Sequence, residues 1–124
     1  MSLPTGTDEI VLVHNPRCSK SRAAKELLEE AGVDFTLRLY LEAPLSRDEL
    51  EDLAGRLGSA PGAWVRRGEA AYEAAGLAEG ASEQEIFDAM AAHPILVERP
   101  IAVRGARAVV GRPPERVLDL AKVD

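Results

Sequence analysis

The chain has one cysteine, Cys18, in 124 residues, which excludes an internal disulfide framework and a cysteine-rich zinc site, so no metal is expected. A lone thiol suits a reducing cytosol, and the protein is expected to be cytoplasmic. No apolar run approaches the roughly 20 residues that a membrane helix requires, so no membrane partner is expected. Met1–Glu9 has no charged stretch leading into an apolar one, so no signal peptide is expected, and Met1–Thr7 reads as a polar lead-in. An excess of positive charge is also missing. The net charge of −6 argues against a protein that coats nucleic acid, while leaving room for a local basic pocket. Internal repeats, low-complexity stretches and linkers are absent too. What is present is an ordinary globular composition, 46% hydrophobic and 29% charged. This length suits one domain, 1–124, burying about two-thirds of the surface of the extended chain, so no staple is required.

Ile10-Val11-Leu12-Val13 is a short apolar run that predicts a strand in the middle of a sheet, ended by the turn residues His14-Asn15-Pro16. Ala23, Ala24, Leu27, Leu28 and Ala31 then form one helical stripe, with Gly32 as its stop. Phe35, Leu37, Leu39 and Leu41 alternate with Thr36, Arg38 and Tyr40 and predict a second strand, parallel to the first. Capping boxes at Ser46–Glu49 and Ser82–Glu85 open two more helices, the first closed by Gly58 and the second ending before Pro94. Ile101–Val103 and Arg107–Val110 flank Gly105 as a hairpin, and Val117, Leu118 and Ala121 suit a last helix. The order is β-α-β, a helical block at about 45–93, then β-β-α. This is an α/β, thioredoxin-like arrangement with a helical insertion between its halves.

The chemistry is expected at His14-Asn15-Pro16-Arg17-Cys18-Ser19-Lys20-Ser21-Arg22. Cys18 follows a buried strand and starts a helix, where free N–H groups and the positive end of the dipole favour an anion. Arg17, Lys20 and Arg22 add positive charge. Together these lower a thiol from about 8.5 toward roughly 7 and make the reactive thiolate. The same N–H groups can cradle an oxyanion. A lone cysteine is often an inert buried hydrophobe, but a cationic loop is a poor place for one. Position 21 is Ser, so no Cys-x-x-Cys pair exists and any adduct must be resolved by an external thiol. A tyrosine-phosphatase loop needs an arginine where position 24 is Ala.

This segment resembles the active-site loop of the ArsC family, in which His-Asn-Pro-x-Cys is followed by Ser-Arg. The resemblance continues through Leu39-Tyr40-Leu41-Glu42, Ser46-Arg47-Asp48-Glu49-Leu50, Val65-Arg66-Arg67, Tyr72-Glu73 and Gly76-Leu77-Ala78-Glu79. It closes with His93-Pro94-Ile95-Leu96-Val97-Glu98-Arg99-Pro100-Ile101 and Gly111-Arg112-Pro113-Pro114-Glu115. It implies an arsenate reductase that binds no cofactor and takes electrons from glutathione and glutaredoxin. By that resemblance Cys18 is the nucleophile and Arg66, Arg99 and Arg112 bind the oxyanion. His14 and Ser21 help to set the thiolate, Arg22 completes the Ser-Arg pair, and Pro100 is the candidate cis-proline. Ser19-Lys20 in place of Gly-Thr, and the end of the chain at Asp124, look more like the family's shorter ArsC-like branch. Two other readings stand beside this one. One is an ArsC-like thiol oxidoreductase with a different substrate. The other is a non-enzymatic regulator similar to Spx, which shares the fold and binds RNA polymerase but relies on the Cys-x-x-Cys that Ser21 breaks.

Overall fold

The computed structural model of the protein describes residues 3, 9–77 and 80–121. The apolar run at the start forms β1 (Ile10–His14), buried along most of its length because strands flank it on both sides. It runs parallel to β2 (Thr36–Leu39) and antiparallel to β3 (Ile101–Arg104), and β3 pairs antiparallel with β4 (Arg107–Val110), giving the order β2-β1-β3-β4. The β3–β4 turn carries Gly105 at φ +57°, a conformation that a side chain would strain. The helices are α1 (Ser19–Glu30), α2 (Arg47–Leu57), α3 (Ala70–Ala74), α4 (Glu83–Ala92) and α5 (Leu118–Ala121). The β-α-β and β-β-α halves, joined by helical residues, make a thioredoxin-like α/β fold. Among the described residues no helix is long and apolar enough to cross a membrane.

The sheet separates two cores. Leu12 of β1 and Ala102 of β3 meet Ala24 and Leu28 of α1 together with Val117 and Leu120. On the opposite face Val13, Ile101 and Val103 meet Leu50 and Leu53 of α2 and Ile86, Phe87 and Met90 of α4. Ala31, expected in the α1 stripe, is exposed, because it lies at the C-terminal cap where the chain turns through Gly32. Both capping boxes form, each serine accepting from the backbone N–H three residues on while the glutamate there accepts from the serine N–H. Of the expected polar lead-in, Leu3 is buried in the larger core, where an apolar side chain belongs, and the rest lies outside the described residues. The last helix is preceded by a tighter 3₁₀ turn, Pro114–Val117.

The second strand departs from its expected phase. Its leucines do not face the core: Leu37 is 39% exposed and Leu41 beyond it 43%, whereas Arg38 and Tyr40 are buried. Arg38 is tolerated there because its charge is met. It donates to both carboxylate oxygens of Glu49, at 2.9 and 3.0 Å, and to the carbonyls of Ala43 and Pro44, at 2.7 Å each. Glu49 is also the capping-box glutamate of α2, accepting from Ser46 N at 3.0 Å. One carboxylate thus closes a helix end and neutralises a buried cation on the neighbouring strand.

Burial alone would push the Glu49 carboxyl up, but the Arg38 guanidinium and the Ser46 N–H outweigh it and hold it below its ordinary 4.5. A carboxyl more acidic in the native state stabilises the fold fully above about pH 4.5, and that contribution drains away as pH falls through the lower native value. Glu49→Gln leaves Arg38 buried without its anion and is expected to lower the unfolding free energy by about 3 kcal/mol at neutral pH. Urea melts at a series of pH values check this. The difference between wild type and variant should shrink in acid, and a gap independent of pH would show that the charge pair is not its source.

Candidate active site

Asn15, Pro16 and Arg17 join β1 to α1, and the turn closes with Cys18 N donating to Asn15 O at 3.0 Å. Asn15 Oδ1 accepts from Arg17 N at 3.0 Å, an Asx turn that shapes the loop. Cys18 is then the N-cap of α1, in extended conformation. Burial pushes the Cys18 thiol up. The backbone N–H groups of Ser21 and Lys20 and the Arg99 guanidinium act against burial and bring the thiol below its ordinary 9.0. The helix start does what the sequence predicts. The decisive side-chain charge comes from Arg99, far away in sequence, rather than from the neighbours Arg17, Lys20 and Arg22. Arg17 and Lys20 are exposed, and Arg22 Nη1 donates to Pro16 O at 2.9 Å, tying the helix to the loop.

His14 and Ser21 brace the loop from beneath. Ser21 Oγ lies 2.6 Å from His14 Nδ1 and accepts from Asn15 N at 3.0 Å, all three groups being buried. The hydroxyl of Ser21 is therefore engaged by the loop, and it is the Ser21 backbone N–H that favours the thiolate. Burial, then Lys25 and Arg22, lower the His14 imidazole below its ordinary 6.5, so it is neutral at neutral pH.

Two arginines, Arg99 and Arg112, reach this helix start from the other half of the chain, and a third, Arg66, is joined to them through shared carboxylates. An isolated antiparallel bridge, Val65 with Val97, sets Arg66 opposite Leu96 and Glu98 opposite Trp64, with Arg66 N donating to Leu96 O at 2.7 Å and Glu98 N to Trp64 O at 3.0 Å, so that Arg66 and Glu98 are diagonal neighbours. Arg66 Nη1 then donates to Glu98 Oε1 at 2.6 Å and Arg66 Nε to Glu69 Oε1 at 3.1 Å. Burial works against the Arg66 charge, but Glu98 and Glu69 raise its guanidinium above the usual value. Arg99 is 9% exposed, and its Nε and Nη1 have no hydrogen-bond partner among the described residues, although Nη1 sits 3.7 Å from Glu69 Oε1. The bond from Arg99 to Pro100 is cis, as the sequence suggests, and so is that from Arg112 to Pro113. Gly111 N donates to Pro100 O at 2.8 Å, and a Cβ on Gly111 would lie 2.7 Å from Pro100 Cγ and 2.9 Å from Val117 Cγ1. Only glycine permits that approach. It brings Arg112 Nε to Arg99 O at 2.9 Å and to Glu98 Oε1 at 3.0 Å, and Arg112 Nη2 to 3.9 Å from Cys18 Sγ.

The arrangement offers a thiol made more acidic, a helix N-terminus and guanidinium groups in one place, which is the equipment for a nucleophile attacking a tetrahedral oxyanion. Arg66, Arg99 and Arg112 come together as the sequence suggests. Glu69 was not foreseen, nor was Glu98 as a partner of Arg66 and Arg112. Tyr40 was missed as well: its hydroxyl is fully buried without a partner among the described residues, and burial raises the phenol against the opposing influence of Arg99 and Arg66. Among the described residues no group of three or more His, Cys, Asp or Glu could hold a metal ion.

Ultraviolet titration of the thiolate should find Cys18 more acidic than the ordinary 9.0. Arg99→Met, which keeps the bulk and removes the charge, is expected to raise that value, and an unchanged titration would remove Arg99 from the account. Gly111→Ala is expected to cost about 1–3 kcal/mol in a thermal or urea melt, because Pro100 and Val117 must give way.

Comparison with known proteins agrees with this geometry. The model of the ArsC family matches residues 13–120. An arsenate reductase of Escherichia coli is 41% identical over 112 residues, 90% of this chain and 79% of that protein. The uncharacterized protein YfgD of Escherichia coli K12 is 42% identical over 116 residues, 92% of this chain and 98% of that one. Among solved structures, the arsenate reductase from Vibrio cholerae superposes with a TM-score of 0.85 at 42% identity, covering 90% of this chain and 97% of the other. The matched region runs from the strand before the thiol loop to the final helix and takes in Cys18 and all three arginines. This chain belongs to the ArsC family.

Proposed function

We propose that the protein is an arsenate reductase, an oxidoreductase that converts arsenate to arsenite through an adduct on Cys18, with glutathione and glutaredoxin as external reductants. The observation that carries this reading is the meeting of Cys18 Sγ, at a helix start, with Arg112 Nη2 at 3.9 Å and with the buried, incompletely partnered guanidinium of Arg99. The names of the relatives at about 40% identity support the same substrate.

In this reading the Cys18 thiolate attacks the arsenic of bound arsenate, a sulfur–arsenic bond forms, and one arsenate oxygen leaves as water after taking up protons. Arg66, Arg99 and Arg112 hold the remaining oxygens and stabilise the charge that develops on them. The sulfur of glutathione then attacks Cys18 Sγ. The sulfur–arsenic bond breaks, its electron pair stays on arsenic, and arsenic falls from the pentavalent to the trivalent state as arsenite leaves. Glutaredoxin removes glutathione from the resulting mixed disulfide and restores the thiolate. An external thiol is required because no second cysteine exists in the chain. His14 and Ser21 fix the loop that presents the sulfur, Arg22 fastens α1 to that loop, and Pro100 fixes the segment that delivers Arg99. The reductants belong to the cytoplasm, which suits the expected location. The whole chain, 1–124, acts as one domain, with the insertion at about 45–93 supplying Arg66.

Cys18→Ser is expected to reduce arsenate turnover, assayed with glutathione and glutaredoxin, to the uncatalysed background while leaving the protein folded, as a cooperative thermal melt reports. Arg112→Gln should lower kcat/KM by about 10²-fold or more, as losing a transition-state donor does. A Cys18→Ser variant as active as wild type, or a wild type inert toward arsenate, would sink the proposal.

A further inference from the structure

An oxyanion seat built from three arginines ought to be strongly positive, but this one is not. Glu98 Oε1 is 2.6 Å from Arg66 Nη1 and 3.0 Å from Arg112 Nε, and it also accepts from Arg99 N at 3.2 Å. Glu69 Oε1 is 3.1 Å from Arg66 Nε and 3.7 Å from Arg99 Nη1. Each guanidinium is thus shared with a carboxylate. With Cys18 ionised, its sulfur and the two carboxylates balance all three guanidinium charges, and with Cys18 protonated a single positive charge is left. Glu98 and Glu69 side chains are only 22% and 28% exposed, so water screens their charges incompletely. A second negative charge on a guest therefore gains little attraction from the seat as a whole, while stripping water from a dianion costs more than from a monoanion.

We infer that Glu98, seconded by Glu69, is a specificity-determining residue that sets the net charge of the oxyanion seat and makes it favour singly charged tetrahedral oxyanions over doubly charged ones. The inference rests on the proposed reading of the three arginines as that seat. It narrows the substrate to the dihydrogen form of arsenate, which carries a ready-protonated oxygen to depart. It also turns away sulfate, which matches arsenate in shape but carries two charges and no proton. The same carboxylates hold the arginines in register, so charge and positioning must be separated. Glutamine separates them: Glu98→Gln keeps the Oε1 acceptor and the shape and removes only the charge. A purely positioning role makes the variant bind anions equally or less well, whereas a charge role makes it bind dianions better.

The test is calorimetric titration of wild type, Glu98→Gln and Glu69→Gln with sulfate and with perchlorate, a singly charged tetrahedral oxyanion, at fixed neutral pH and ionic strength. Thermal melts report whether each variant stays folded. Removing one nearby anion is expected to tighten sulfate about tenfold and perchlorate only about threefold, because the repulsion scales with the charge of the guest. Sulfate binding that is unchanged or weaker in the folded variants, or absent from all three proteins, overturns the inference. Arsenate turnover by the wild type is measured alongside. If turnover is absent while the variants still gain sulfate, the reductase reading fails and the charge selection stands.

Discussion

A guanidinium taken out of water must be met by an anion, and Arg99 is nine-tenths out of water. Two of its nitrogens have no hydrogen-bond partner among the described residues, and the charge is answered by Glu69 and by the sulfur of Cys18. The dependence is mutual. Arg99 stabilises the thiolate, and the thiolate makes the burial of Arg99 tolerable. The rest of the site is arranged around that exchange. β1 and its turn deliver the sulfur, the segment through Pro100 delivers the guanidinium, and the antiparallel pairing of β1 with β3 brings the two segments to one end of the sheet.

Much of the fold was legible because it is written in local signals. Both capping boxes, the glycine ends of α1 and α2 and the turn at Gly105 each rest on a few adjacent residues whose chemistry admits few alternatives. The phase of β2 was not legible in this way. Its leucines imply one buried face, but Arg38 and Tyr40 take the interior, because a glutamate eleven residues later neutralises Arg38. Alternation records which residues share a face and leaves open which face is inside. A distant salt bridge decides that.

The site divides along the same line. Cys18 at a helix start is a local feature, and the arginines were found through their sequence motifs. Their carboxylate partners were not found as such, because no spacing along the chain announces that Glu69 and Glu98 will both meet Arg66. The Arg38–Glu49 pair and the arginine cluster follow one rule at two places. Each buried or half-buried cation is held by a carboxylate that also does a second task, capping a helix in one case and moderating the charge of a binding seat in the other.

The bridge between Val65 and Val97 is only one residue pair long, and it orients both Arg66 and Glu98. Side chains along an extended segment alternate sides, so gaining or losing a single residue just ahead of Arg66 would turn its guanidinium away from Glu98 and present its neighbour instead. The length of the connection after the 3₁₀ turn Pro61–Ala63 therefore shapes the proposed oxyanion seat as much as any ionisable group does. Relatives that differ by one residue there should handle anions differently even where every arginine has been kept.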